Sequence, residues 1–161
     1  MTSLPEYQAR LATLFGVLGI RTDDKFLTAI HFLPRSTPIF APQKNSIAHL
    51  ACVQLNAYLD DPDFAFDLPL KLTGTAHQIK VWEVLKTIPR SEALTYGELA
   101  ARVLSAPRAI GGACGRNPLP LVIPCHRVVA AGGSLGGFMG GHGDDPLAIK
   151  RWLLSHEGYP V

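Results

Sequence analysis

No aspartate or glutamate occurs between Leu99 and Gly143, although Arg102, Arg108, Arg116 and Arg127 all fall inside that interval. A stretch with charge of one sign is either a solvated basic surface or a seat for an anionic partner such as a phosphate backbone. Residues 1–73 carry six basic and seven acidic side chains and residues 74–161 carry nine and six, so the net charge of +2 comes from the second half. Cysteine is also scarce. Cys52, Cys114 and Cys125 are odd in number and widely spaced, which argues against a disulfide framework and against a CxxC redox pair, and fits reduced thiols. No cysteine or histidine pair has the spacing of a structural zinc site, so no metal is expected. Internal repeats are missing. The apolar run Leu11 to Ile20 is too short to span a bilayer, follows Glu6 and precedes no small-x-small cleavage site, so neither membrane insertion nor secretion is expected and a cytoplasmic location is.

What is present is the composition of a globular protein of 161 residues, 47% hydrophobic and 17% charged. Phe26 to Leu33 is rich in β-forming residues, follows the turn-like Asp23-Asp24 and ends before Pro34. It reads as a strand paired in a hairpin with the segment Gly16 to Arg21. Ile47, Leu50, Ala51, Leu55 and Tyr58 fall on one helical face, with Asn45 or Ser46 as cap and Asp60-Asp61-Pro62 as stop. Phe64 to Leu70 is expected to add one more strand.

From Gly74 the pattern turns helical. Thr75 to Gln78 and Thr95 to Glu98 both fit the S/T-x-x-E/Q capping box, in which two side chains satisfy each other's free backbone N–H groups. Val81, Val84, Leu85 and Ile88 line the first of these helices, and Leu99 and Val103 anchor the second. Ser105 and Pro107 are placed to open a third, running to about Cys114. Two short helices joined by a tight turn resemble a helix-turn-helix. The third segment, "APRAIGGACG", is nearly bare. Two adjacent glycines inside a helix cost about 1 kcal/mol each relative to alanine, so either a packed helix crossing or a narrow groove must favour small residues there. A last helix begins at Asp145-Pro146, carries Ile149, Trp152, Leu153 and His156 on one stripe, and has Gly158 at its C′ position. Glu157 in its final turn opposes the helix dipole, which calls for a cationic or hydrogen-bond-donating partner.

"LPLVIPCHRVVAAGG" sets Cys125 and His126 between two β-branched runs. The flanks suit a buried core thiol. The adjacent histidine suits an activated one, because a thiol reacts as its thiolate and needs a base to take the proton. With Glu157 on the other ring nitrogen, the three residues have the logic of a hydrolase relay.

The segments "IPCHRVV", "TYGELA", "PRAIGGACGRNPLPLVIPCHR" and "LLSHEG" together resemble the O6-alkylguanine-DNA alkyltransferase family over nearly all of residues 74–161. The resemblance implies an α+β protein. Residues 1–73 would form a small antiparallel sheet with a helix, RNase H-like, and residues 74–161 a mainly helical winged helix-turn-helix domain for DNA binding and alkyl transfer. It implies that Cys125 takes the alkyl group from O6 of guanine (and from O4-alkylthymine) as a stable thioether, once per molecule, with His126 acting through a water and Glu157 orienting His126. Arg108 would fill the space of the extruded nucleotide, Tyr96 would help rotate the phosphate and bind the base, and Ala109, Gly111, Gly112 and Gly115 would lie in the minor groove. Asn117 would brace the turn before Cys125. The carbonyls of Cys125 and Val128 would accept from the guanine amine, and Phe138 and Met139 would shape the pocket rim. Phe138 stands where many relatives have tyrosine. The implied partner is double-stranded DNA containing O6-alkylguanine, met by a monomer that can assemble side by side, without a cofactor. Two other readings compete: a winged-helix or lesion-recognition protein that binds DNA without alkyl transfer, and a cysteine hydrolase, which would turn over.

Overall fold

The computed structural model describes residues 6–137 and 146–161. Their contacts divide them into two compact units, one of residues 6–72 and one of residues 73–137 with 146–161. The architecture is α+β: a three-stranded antiparallel sheet, a two-stranded parallel pair and five α-helices among the described residues.

In the first unit, β1 (Ala9–Thr13), β2 (Gly16–Thr22) and β3 (Leu27–Leu33) run in that order across the sheet. The expected hairpin is present, with Ile20 opposite Ile30 and Gly19 opposite His31. Strand β1, for which no strand was expected, overlaps the start of the apolar run Leu11 to Ile20. Gly16, at φ +125°, turns the chain so that Leu11 pairs with Leu18. Gly19 makes room for Tyr7, since a Cβ there would lie 2.5 Å from its ring. Tyr7 then reaches Nδ1 of His31 at 2.7 Å.

Helix α1 (Ile47–Asp60) starts at Ser46, whose hydroxyl accepts from the His49 N–H, and ends at Asp61. Its buried face is Ala48, Ala51, Cys52, Leu55 and Tyr58, whereas Leu50, placed on that face from the sequence, is 40% exposed. Burial pushes the Cys52 thiol up to about 11, as befits an inert core thiol.

The strand expected over residues 64–70 does not form. Leu70 makes one isolated bridge to Leu27. Upstream, the Gln54 side chain binds both the N–H and the carbonyl of Asp67, at 2.8 and 2.9 Å, and so takes the place of a neighbouring strand. Phe66 packs on Tyr58, with ring centroids 5.3 Å apart. A side-chain partner therefore satisfies the Asp67 backbone where ladder bonds were expected, while Pro69 and Lys71 bond to the backbone of Leu27.

The second unit holds α2 (Ala76–Leu85), β4 (Leu94–Thr95), α3 (Tyr96–Val103), α4 (Pro107–Gly115), β5 (Val128–Val129) and α5 (Pro146–His156). Both capping boxes are complete, with Thr75 and Gln78 on α2 and Thr95 and Glu98 on α3. Val81, Trp82 and Leu85 bury one face of α2, and Leu99 and Val103 that of α3. The indole of Trp82 donates to the Ala113 carbonyl at 3.0 Å, which ties α2 to the end of α4. Leu104, in the left-handed conformation, makes the turn between α3 and α4. Pro107 opens α4 as expected, but Ser105 does not cap it: its hydroxyl pairs with Nε2 of His77 at 2.8 Å, and Ala106 stands at the N-cap.

Helix α5 buries Ile149, Lys150, Leu153 and Leu154. The expected stripe is thus rotated. Trp152 and His156 stack on each other, centroids 4.5 Å apart, and are only half-buried. Gly158, at φ +87°, ends the helix, where the Tyr159 N–H bonds back to the Leu154 carbonyl at 2.9 Å.

Candidate active site

Pro124 leads into a single helical turn, Cys125–Arg127, which passes into β5. Leu94 and Thr95 of β4 pair in parallel with Val128 and Val129, so the capped start of α3 sits beside the cysteine turn. Cys125 is 4% exposed and forms part of the wall of a cavity of about 450 Å3. Tyr96, Arg108, Gly111, Cys114, Gly115 and Gly137 also line it.

His126 and Glu157 are buried, and Nε2 of His126 lies 2.8 Å from Oε2 of Glu157. A carboxylate only accepts, so Nε2 carries the hydrogen and, in the neutral ring, Nδ1 keeps a lone pair. That Nδ1 is buried and has no hydrogen-bond partner among the described residues. Arg127 grips the same carboxylate in a fork, Nε to Oε1 at 2.8 Å and Nη2 to Oε2 at 2.9 Å, while its Nη1 donates to the Ile88 carbonyl at 2.5 Å. Burial pushes the Glu157 carboxyl up, but the bonds from His126 and Arg127 outweigh it and hold the group well below the usual carboxylate range. Burial pushes His126 down, and Glu157 opposes that only in part. The pair is therefore a neutral imidazole bonded to a carboxylate at neutral pH. Burial raises the Cys125 thiol to about 11, with Asn117 and Lys150 pulling the other way. Cys125 thus rests as a thiol, and a reaction at its sulfur needs a base.

Lys150 belongs to this site and did not stand out in the sequence. It is fully buried, and its ammonium donates to three carbonyls: Val128 at 2.6 Å, Leu135 at 2.5 Å and Gly137 at 2.9 Å. It therefore pins the segment after β5 back against β5. Burial lowers its pKa to about 8. Its Nζ also lies 5.8 Å from the centre of the Tyr96 ring. Tyr96 packs against Gly136, where a Cβ would come within 2.9 Å, and its hydroxyl donates to the Gly137 carbonyl at 3.4 Å.

Asn117 is buried. Its side-chain amide donates to the Ile123 carbonyl at 2.8 Å and its oxygen accepts from the Leu119 N–H at 2.9 Å, which closes the excursion between α4 and Cys125. Arg108, Ala109, Gly111, Gly112 and Gly115 are exposed along α4. A Cβ added at Gly111, Gly112 or Gly115 would meet nothing within 4 Å. Packing inside the protein therefore does not require glycine there, and the helix-crossing explanation falls. Phe138 and Met139 lie outside the described residues.

Two residues of the site escaped the sequence reading. Arg127 had a signal, because it follows His126 directly and Glu157 lacked a cation. Lys150 had none, since a lysine in an amphipathic helix reads as surface. No helix among the described residues is long and apolar enough to cross a membrane, and no cluster of metal-ligating side chains occurs among them.

A helix-turn-helix bearing an open, bare helix beside a buried cysteine with a histidine–carboxylate pair defines a class: a DNA-binding unit with a buried thiol in the cavity beside its exposed helix. Residues 76–159 match the family described as 6-O-methylguanine DNA methyltransferase, DNA binding domain. The chain is 35% identical over 158 residues to the methylated-DNA–protein-cysteine methyltransferase of Methanosarcina acetivorans, covering 94% of this chain and 98% of that protein. It is 47% identical over 106 residues to the protein of that name from Mycobacterium tuberculosis, 65% of this chain and 61% of that one. The crystal structure of Mycobacterium tuberculosis OGT in complex with DNA matches with a TM-score of 0.78 and 35% identity, over 92% of this chain and 90% of that chain. The chain belongs to the 6-O-methylguanine DNA methyltransferase family.

Proposed function

We propose that this protein repairs DNA directly, moving the alkyl group of O6-alkylguanine, and of O4-alkylthymine, to Cys125 in a single irreversible turnover. The observation that carries the reading is the buried His126–Glu157 pair behind a cysteine that opens onto a cavity of about 450 Å3. In this mechanism α4 enters the minor groove with its bare face, Ala109 to Gly115, and Arg108 takes the place of the extruded nucleotide. Tyr96 turns the phosphate and contacts the flipped base. The Cys125 and Val128 carbonyls accept from the guanine amine. Val128 already accepts from Lys150 at 2.6 Å, and the second lone pair of its oxygen serves the base.

His126 takes the thiol proton through a bridging water on Nδ1, and the imidazolium so formed is stabilised by Glu157. The sulfur bonds to the alkyl carbon as the carbon–O6 bond breaks. Guanine leaves with that electron pair and gains a proton. Water does not cleave the resulting thioether, so each molecule acts once. This separates the reading from a cysteine hydrolase, and the retained thiol separates it from a lesion binder that transfers nothing. A DNA substrate and reduced thiols fit a cytoplasmic location.

Incubation with a duplex carrying one labelled O6-methylguanine tests the proposal. Intact-mass and peptide spectrometry should find one methyl group per protein, on Cys125. An unmodified Cys125 with the duplex still methylated would overturn it, and so would repeated release of product.

A further inference from the structure

The cavity has two thiols in its wall, Cys125 and Cys114, and the transfer step uses one. Cys114 lies one residue before the end of α4 and is 7% exposed. The excursion that separates the two cysteines is stapled by Asn117. Its backbone N–H donates to the Cys114 carbonyl at 3.2 Å, its amide donates to Ile123, and its side chain is hydrogen-bonded to the Cys125 thiol. Asn117 therefore anchors both ends of the excursion to one chamber. The other lining side chains are a phenol, a guanidinium, a proline ring and glycines, so among the described residues Cys114 is the one further soft nucleophile in that wall. An alkyl group left on Cys125 stays in this chamber.

Resting on the alkyl-transfer reading, we propose that Cys114 is a second acceptor, used when the group delivered to Cys125 carries a leaving group on its β carbon, as a 2-haloethyl lesion does. The first step is the transfer already described, and it leaves a 2-haloethyl thioether on Cys125. The thioether sulfur then displaces halide from the β carbon and closes a three-membered sulfonium ring. Cys114 bonds to one ring carbon, the electrons of the broken carbon–sulfur bond return to the Cys125 sulfur, and the Cys114 proton passes to water. No oxidant or reductant enters. The product is an ethylene bridge between the two sulfurs, and halide is released.

Burial holds the Cys114 thiol up at about 12, so it ignores ordinary electrophiles. A sulfonium cation formed beside it supplies both a strong electrophile and a charge that favours the thiolate. The bridge consumes an electrophile that would otherwise react with water or couple the protein to the DNA still bound.

The test uses the full chain and a duplex freshly treated with a chloroethylating agent, so that it carries O6-(2-chloroethyl)guanine. Trypsin cuts after Arg108, Arg116 and Arg127, which places the two cysteines on separate peptides, 109–116 and 117–127. The expected result is that these peptides are found linked by an ethylene unit, with both thiol protons lost, as the main form among molecules that have reacted. In Cys114→Ser the linked form disappears, and Cys125 carries 2-hydroxyethyl or is joined to DNA. Scoring only reacted molecules makes the outcome independent of how fast the variant reacts. Wild-type protein that carries 2-hydroxyethyl or DNA on Cys125 while Cys114 stays free would overturn the inference. If the variant does not fold, O6-(2-hydroxyethyl)guanine, which lacks the leaving group, replaces it as the control, and bridging from that duplex would also overturn the inference. Methyl transfer from an O6-methylguanine duplex, run in parallel, tells failure of the bridge from failure of the transfer reading.

Discussion

Glu157 holds His126 at 2.8 Å with one oxygen while Arg127 takes both oxygens in a fork, so a single carboxylate fixes the imidazole tautomer and neutralises a guanidinium. Glu157→Gln removes the charge and puts a donor where an acceptor stood. The variant should transfer methyl groups about 10²–10⁴-fold more slowly, the range for losing an oriented base. It should also lose about 3 kcal/mol of stability, because a largely buried arginine is left without its partner. Single-turnover kinetics and urea denaturation measure the two effects. Unchanged kinetics with reduced stability would reduce Glu157 to a structural role.

The acid limb of the transfer reaction should lie below the ordinary imidazole range. Burial lowers the His126 pKa, so the ring stays neutral and able to take a proton as the pH falls through 6.5. Glu157 is depressed too. Its contribution to stability is present above the unfolded carboxylate value of about 4.3 and is lost as the pH falls through its lower folded value. Rates of methyl transfer from pH 5 upward should therefore hold through pH 6.5. A loss of rate centred at or above 6.5 would contradict this assignment.

Arg108 is exposed on α4 at the cavity edge, where it has space to enter a base stack. Arg108→Ala should slow repair of O6-methylguanine in duplex DNA by at least tenfold more than it slows reaction with free O6-benzylguanine, which needs no extrusion. Equal losses on the two substrates would argue against the finger role.

The bare face of α4 separates stability from binding. A Cβ at Gly112 meets nothing within 4 Å, so Gly112→Ala should raise stability by about 0.5–1 kcal/mol through helix propensity. Gly112→Phe should remain folded yet bind duplex DNA at least tenfold more weakly, read by fluorescence anisotropy. Full binding by the Phe variant would remove α4 from the groove.

Much of this site was legible because its signals are local. Two capping boxes, a proline at the first helical position and a glycine after the last turn mark helix ends through bonds between residues only a few positions apart. Glu157 was legible as a misfit, a carboxylate at the wrong end of a helix. Lys150 was not, because only tertiary packing turns a helical lysine inward, and its three carbonyl partners come from segments 13, 15 and 22 residues away. Strand β1 was hidden for a related reason: its last residues merge with the apolar start of β2 into the single run Leu11 to Ile20. Residues 64–70 misled in the opposite direction. Gln54, a residue of α1, took the Asp67 backbone groups that a neighbouring strand would have used.

The bond from the Trp82 indole to the Ala113 carbonyl gives the molecule a built-in optical gauge. Ala113 is the residue before Cys114, so a displacement of the end of α4 changes the polarity and hydrogen bonding around a buried indole. Trp152, stacked on the ring of His156 and only half-buried, is a second emitter in a different setting. Groove entry and alkyl loading can thus be followed by tryptophan emission in the unlabelled protein, with Trp152→Phe isolating the signal of the site.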